Sequence, residues 1–72
     1  MDDDRSVAQS PVDDETYNLM QSLTSKLEAI EAYQVYAADG GETAELFERL
    51  AEEDSRHAEM LLDALRRRLT EQ

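Results

Sequence analysis

The chain of 72 residues contains no cysteine and no tryptophan, one proline, two glycines, one histidine and one lysine. Without cysteine there is no disulfide and no thiolate metal site to staple so small a chain, which is one domain at most. No apolar run approaches the roughly 20 residues that a spanning helix needs, and the start, Met1-Asp2-Asp3-Asp4-Arg5, has the wrong charge for a signal peptide. The expectation is a soluble cytoplasmic protein with no membrane partner. Lysine is nearly absent: 18 acidic residues face 7 basic ones, only Lys26 being a lysine, for a net charge of -11. A phosphate backbone would meet a mostly negative surface, so nucleic acid is excluded as a partner. Arg66-Arg67-Arg68 departs from this balance and reads as favourable positive charge at a helix C-terminus. A glycine-rich phosphate loop and a nucleophile elbow are also missing, and a single histidine leaves no catalytic triad within one chain.

What is present is helical. Residues 1–13 carry acids, serines and the proline without a helical period, and read as a disordered acidic arm. Asp13 is placed as an N-cap, with Asp14 and Glu15 in the first turn of a helix over 14–38. Within it Met20, Leu23, Leu27, Ile30, Gln34 and Ala37 recur at spacings of three and four, the pattern of a packed seam. Asp39-Gly40-Gly41 supplies a turn over 39–41, and a second helix is predicted over 42–69. Two helices of this length joined by a short turn lie antiparallel. A lone hairpin leaves much of each apolar stripe facing water. The predicted fold of residues 14–72 is therefore all-α, an antiparallel two-helix hairpin that dimerises into a four-helix bundle, with the chain itself as partner in a homodimer or larger homo-oligomer.

The second helix places two polar residues in its most apolar stripe. At about 100° per residue, Phe47, Leu50, Asp54, His57, Ala58, Leu61 and Leu65 fall on one narrow face, which should be buried. An unpaired charge there costs several kcal/mol, roughly, so Asp54 and His57 need hydrogen bonds, an opposite charge or a metal. Carboxylate plus imidazole suits iron, manganese or zinc, and in a dimeric bundle both pairs would project into a shared interior. Glu31 on the first helix, roughly 65° from the centre of its seam, is a candidate third ligand; Glu28 points further out, and Glu53 is turned about 100° from Asp54. The tyrosines Tyr17, Tyr33 and Tyr36 and the methionines Met20 and Met60 read as packing groups, and Glu45, Glu48, Glu52 and Glu59 as a solvated face.

The stretch Leu27-Glu28-Ala29-Ile30-Glu31-Ala32-Tyr33, followed by Glu45-Leu46-Phe47-Glu48-Arg49-Leu50-Ala51-Glu52-Glu53-Asp54-Ser55-Arg56-His57-Ala58-Glu59-Met60-Leu61-Leu62, resembles the helix pair of rubrerythrin-like members of the ferritin-like superfamily and is similar to the short encapsulated ferritins. The resemblance spans about residues 20 to 69. It implies two irons held by a glutamate from one helix and a Glu-x-x-His pair from the next, the short forms building the site between chains. His57 stands at the family's histidine position. Asp54 replaces the glutamate three residues before it. The first-helix iron glutamate precedes the tyrosine by seven residues, and that position holds Lys26, so the metal motif is degenerate.

Two function classes follow, the first preferred because a lost site would have little reason to keep both polar residues at the centre of an apolar face. One is a ferritin-like metalloprotein that binds iron between subunits and acts as a ferroxidase, with Asp54 and His57 as ligands and Glu31 supplementary. The other is a metal-free helical oligomerisation or interaction module that keeps the scaffold and has lost the di-iron site, Lys26 bridging to Asp54. Lys26 discriminates between them: facing Asp54 it favours the second, whereas Lys26 turned outward and Glu31 turned inward favour the first. High acid with almost no lysine also resembles the composition of salt-loving microbes. Screening of self-repulsion then predicts that the thermal unfolding midpoint, followed by circular dichroism, rises between low salt and molar KCl; an unchanged or lower midpoint would remove the halophilic reading.

Overall fold

A computed structural model describes residues 11–71, so most of the predicted acidic arm lies outside the described residues. Helix α1 runs Asp14–Ala38 and helix α2 runs Ala44–Glu71. The local chemistry at each end accounts for these limits. Asp13 is the N-cap of α1: its carboxylate accepts the Thr16 backbone N–H at 2.9 Å, and Asp14 and Glu15 complement the positive end of the helix dipole. At the other end the Asp39 N–H reaches the carbonyls of Val35 and Tyr36 at 3.3 and 3.2 Å, and the Gly40 N–H reaches that of Ala37 at 3.0 Å. Gly40 and Gly41 then take φ values of 80° and 86°, the left-handed region that a side chain disfavours. Helix α2 starts at Ala44 rather than at Glu42. Glu42 and Thr43 are used up in reversing the chain, and the Thr43 carbonyl accepts the first α-helical bond, from the Phe47 N–H at 3.1 Å.

The two helices form an antiparallel hairpin with no strand among the described residues. On α1, the side facing α2 carries Leu19, Leu23, Lys26, Ile30, Tyr33 and Ala37, all half-buried. This is a heptad seam, but it is rotated from the one predicted. Met20, Leu27 and Gln34, expected inside, are exposed. The reason is that α1 is apolar on two sides with the same spacing of three and four, and α2 covers only one of them. On α2 the facing residues are Phe47, Leu50, Ala51, Asp54, Ala58, Leu61 and Leu65. Phe47 stacks on Tyr33 at a ring separation of 5.9 Å and meets Tyr36 edge-on at 5.2 Å, closing the turn end. The opposite end is tied by Arg68, whose guanidinium binds Asp13 at 2.5 Å and Glu15 at 2.6 Å.

The hairpin is 11 Å through its thinnest dimension, one helix thick. Its only buried apolar residues among those described are Ala51 and Ala58, each 7% exposed. Both alanines let the helices approach closely. No helix among the described residues is long and apolar enough to cross a membrane.

The space beside each turn glycine is open, with nothing within 4 Å of where a Cβ would sit. Gly40→Ala and Gly41→Ala are therefore expected to cost only the left-handed backbone penalty, about 1–2 kcal/mol each, and Asn at either position less. Urea unfolding at fixed protein concentration checks this; an alanine variant as stable as the parent would contradict the backbone assignment.

Candidate metal centre

The polar residues of the seam meet at mid-length. Lys26 on α1 and Asp54 on α2 stand opposite each other, and the Lys26 ammonium donates to Asp54 Oδ1 at 3.0 Å. His57, one turn along α2, places Nδ1 at 3.0 Å from the same oxygen. A carboxylate can only accept, so Nδ1 carries the proton of this hydrogen bond. The Asp54 side chain is 13% exposed, against 38% for Lys26 and 53% for His57. Asp54 is thus the covered member, and the lysine stem lies along the seam with its charged end at the edge. Two donors on one oxygen, His57 first and Lys26 second, hold the Asp54 carboxyl below its ordinary value, against the opposing effect of its burial.

Asp54 and His57 are therefore brought together and Lys26 joins them, whereas Glu31 is elsewhere. It lies about 140° around α1 from Lys26 and lines a shallow groove with Thr24, Leu27, Glu28, Ile30 and Gln34. His57 also differs from its expected surroundings. The sequence places it in the buried stripe, but Ala51, outside that stripe, takes a covered position and shifts the seam away from His57. The ring sits on the seam's outer edge. Sequence reasoning missed Arg68 as an interhelical clasp, although its spacing of two heptads from Asp54 put it on the same face.

Carboxylate and imidazole are metal-ligating groups, so their fit to an ion can be judged from the donors. The Asp54 oxygen nearest both partners already accepts from an ammonium, which has three donors and no lone pair to offer. Among the described residues no three His, Asp or Glu side chains converge as a metal-binding group. The residues of one hairpin do not fit a metal ion while Lys26 stays in place. What they form is a neutralised interhelical network that sets the register of α1 against α2.

A family model described as Rubrerythrin matches residues 17–72, more than three quarters of the chain, covering α1 from Tyr17 onward, all of α2 and the whole cluster. No curated protein and no solved structure gives a significant match.

The lowered Asp54 carboxyl has a consequence for stability against pH. Its folded pKa lies below the unfolded value of about 4, so its contribution is present above that pH and is lost as pH falls through the folded value. Asp13, held low by hydrogen bonds from Thr16 and then by Arg68, acts in the same direction. Asp54→Asn is expected to be less stable than the parent at pH 7, with the gap narrowing below about pH 4. Thermal unfolding across pH 2–7 for both proteins measures it; a gap that stays constant would remove the charged Asp54 from the account.

Proposed function

Because the chain belongs to the rubrerythrin family, within the ferritin-like superfamily, we propose that it is a self-assembling ferritin-like helical module, two or more hairpins packing into a four-helix bundle whose central polar sites are closed by ion pairs. The observation that carries this is the exposed apolar surface. Tyr17, Met20, Leu27, Val35, Tyr36, Leu46, Met60 and Leu69 are 41–67% exposed, while the buried apolar residues are two alanines. Covering a large apolar side chain contributes up to roughly 1.5–3 kcal/mol. Each is already about half covered, so covering half of these eight would supply on the order of 5 kcal/mol per chain, comparable to the whole stability of a small domain. A second copy presents the same surface, and a two-fold arrangement satisfies both copies at once. Acting in the cytoplasm as a scaffold of this kind requires no metal and no catalytic residue.

A second reading rests on the Asp54–His57 pair. Domains of this family typically bind iron, and the two side chains sit together at 3.0 Å with the His57 ring half exposed. A second copy bringing its own pair across a two-fold axis would gather two carboxylates and two imidazoles, a donor set for iron, manganese or zinc, with ferroxidase activity as its function. That arrangement requires Lys26 to leave Asp54, which is why the metal-free assembly is preferred.

Sedimentation equilibrium at micromolar concentration tests the assembly, with a dimer or larger species expected and a folded monomer overturning it. Leu27→Glu and Met60→Glu lie on opposite sides of the hairpin, so the variant that weakens association identifies the covered side; association unaffected by either would also count against the proposal.

A further inference from the structure

The Lys26–Asp54 pair has a meaning beyond assembly. The ammonium is a monovalent cation delivered by the chain itself, 28 residues away in sequence, to an oxygen that an imidazole shares. It neutralises the carboxylate, donates where a metal would accept, and is tethered, so it cannot be washed out or outcompeted by dilution. We propose that Lys26 is the resident cation of this site: its ammonium takes the place of a metal ion at Asp54 and holds the Asp54–His57 pair in a metal-independent form, so that replacing this one side chain uncovers a divalent-cation site. The inference concerns a single hairpin, and it rests on the proposed reading only in that both leave the native protein free of metal.

Three features support it. Asp54 is 13% exposed, so an unpaired charge would be costly there and a cation of some kind is needed. His57 Nδ1 lies 3.0 Å from the same Asp54 oxygen, so an ion in place of the ammonium has an imidazole nitrogen beside it once that nitrogen gives up its proton. Lysine is otherwise absent from the chain, every other basic side chain being arginine. Arginine at position 26 would be as charged but bulkier and planar, whereas an ammonium is a compact point charge. A glutamate at position 26 is one bond shorter than lysine. Its oxygens would stop short of Asp54 and leave space for an ion bonded at about 2.0–2.2 Å to each carboxylate.

The test is a Co²⁺ titration of the tag-free full chain, read by visible absorption and by metal content after desalting, with sedimentation and circular dichroism recorded on every variant. The parent and His57→Ala are expected to retain less than about 0.2 metal per chain. Lys26→Glu is expected to retain about one metal per chain and to bind at least about tenfold more tightly than the parent, and Lys26→Glu with His57→Ala to lose that gain. Where Lys26→Glu fails to fold, Lys26→Gln, which removes the charge but keeps a polar side chain, is read against the same threshold, a smaller His57-dependent gain supporting the proposal. Stoichiometric metal in the parent that disappears in His57→Ala would overturn it, as would a folded Lys26→Glu or Lys26→Gln that binds no more metal than the parent. Loss of assembly in the parent would count against the proposed function alone, because the Co²⁺ readout does not depend on it.

Discussion

Two helices make a layer, and a layer has no inside. Each helix can hide one stripe against the other, and everything else that is apolar meets solvent or another molecule. Here that limit is visible in the 11 Å thickness of the hairpin and in a core reduced to Ala51 and Ala58. The alanines draw the helices close, which helps the seam but leaves little side-chain volume to bury within it. Helix α1, apolar on two sides, cannot satisfy both against α2. The uncovered side with Met20 and Leu27 is the physical origin of the assembly proposed for this chain.

In so thin a structure, directional contacts carry the geometry. Aromatic packing of Phe47 on Tyr33 and Tyr36 closes the turn end, and Arg68 clasps Asp13 and Glu15 at the other. Between these lies the Lys26–Asp54–His57 network. A half-buried polar contact of this type contributes less to stability than an apolar one of the same volume, but it is far more specific in register. Sliding α1 by one turn would leave Asp54 without its lysine. The same network that fixes the hairpin also places an ammonium at the Asp54 oxygen nearest His57, so the register contact and the proposed resident cation are one side chain.

Much of this was legible in the residues. The caps at Asp13 and Gly40-Gly41, the helical period and the acidic outer faces all depend on neighbours within a few positions, and local chemistry is what a sequence displays. The rotation of α1 was less legible. Leu19-Leu23-Lys26-Ile30-Tyr33-Ala37 and Met20-Leu23-Leu27-Ile30-Gln34-Ala37 both follow the spacing of three and four, and nothing local says which of them meets α2. His57 is misread for a related reason: Ala51 is small and carries little weight in a hydrophobic pattern, so the stripe read from the sequence omits it, yet at 7% exposed it is as covered as Ala58. Arg68, taken for a dipole-compensating cation, proved to be a contact to the first turn of the other helix, more than fifty residues away in sequence.

By itself the sequence determined that there are two helices, where they start and stop, that they must fold back on each other, and that an aspartate and a histidine one turn apart need a partner. Family membership follows from the same residues. Only the tertiary structure decided which partner they receive. Lys26 and Glu31 lie on the same helix about 140° apart, and either would answer the charge or the ligand requirement. The choice between them is the rotation of α1 about its own axis, which is set by side chains on α2 and not by anything adjacent in the chain. With Leu23, Ile30 and Tyr33 turned toward α2, Lys26 turns with them and Glu31 turns away.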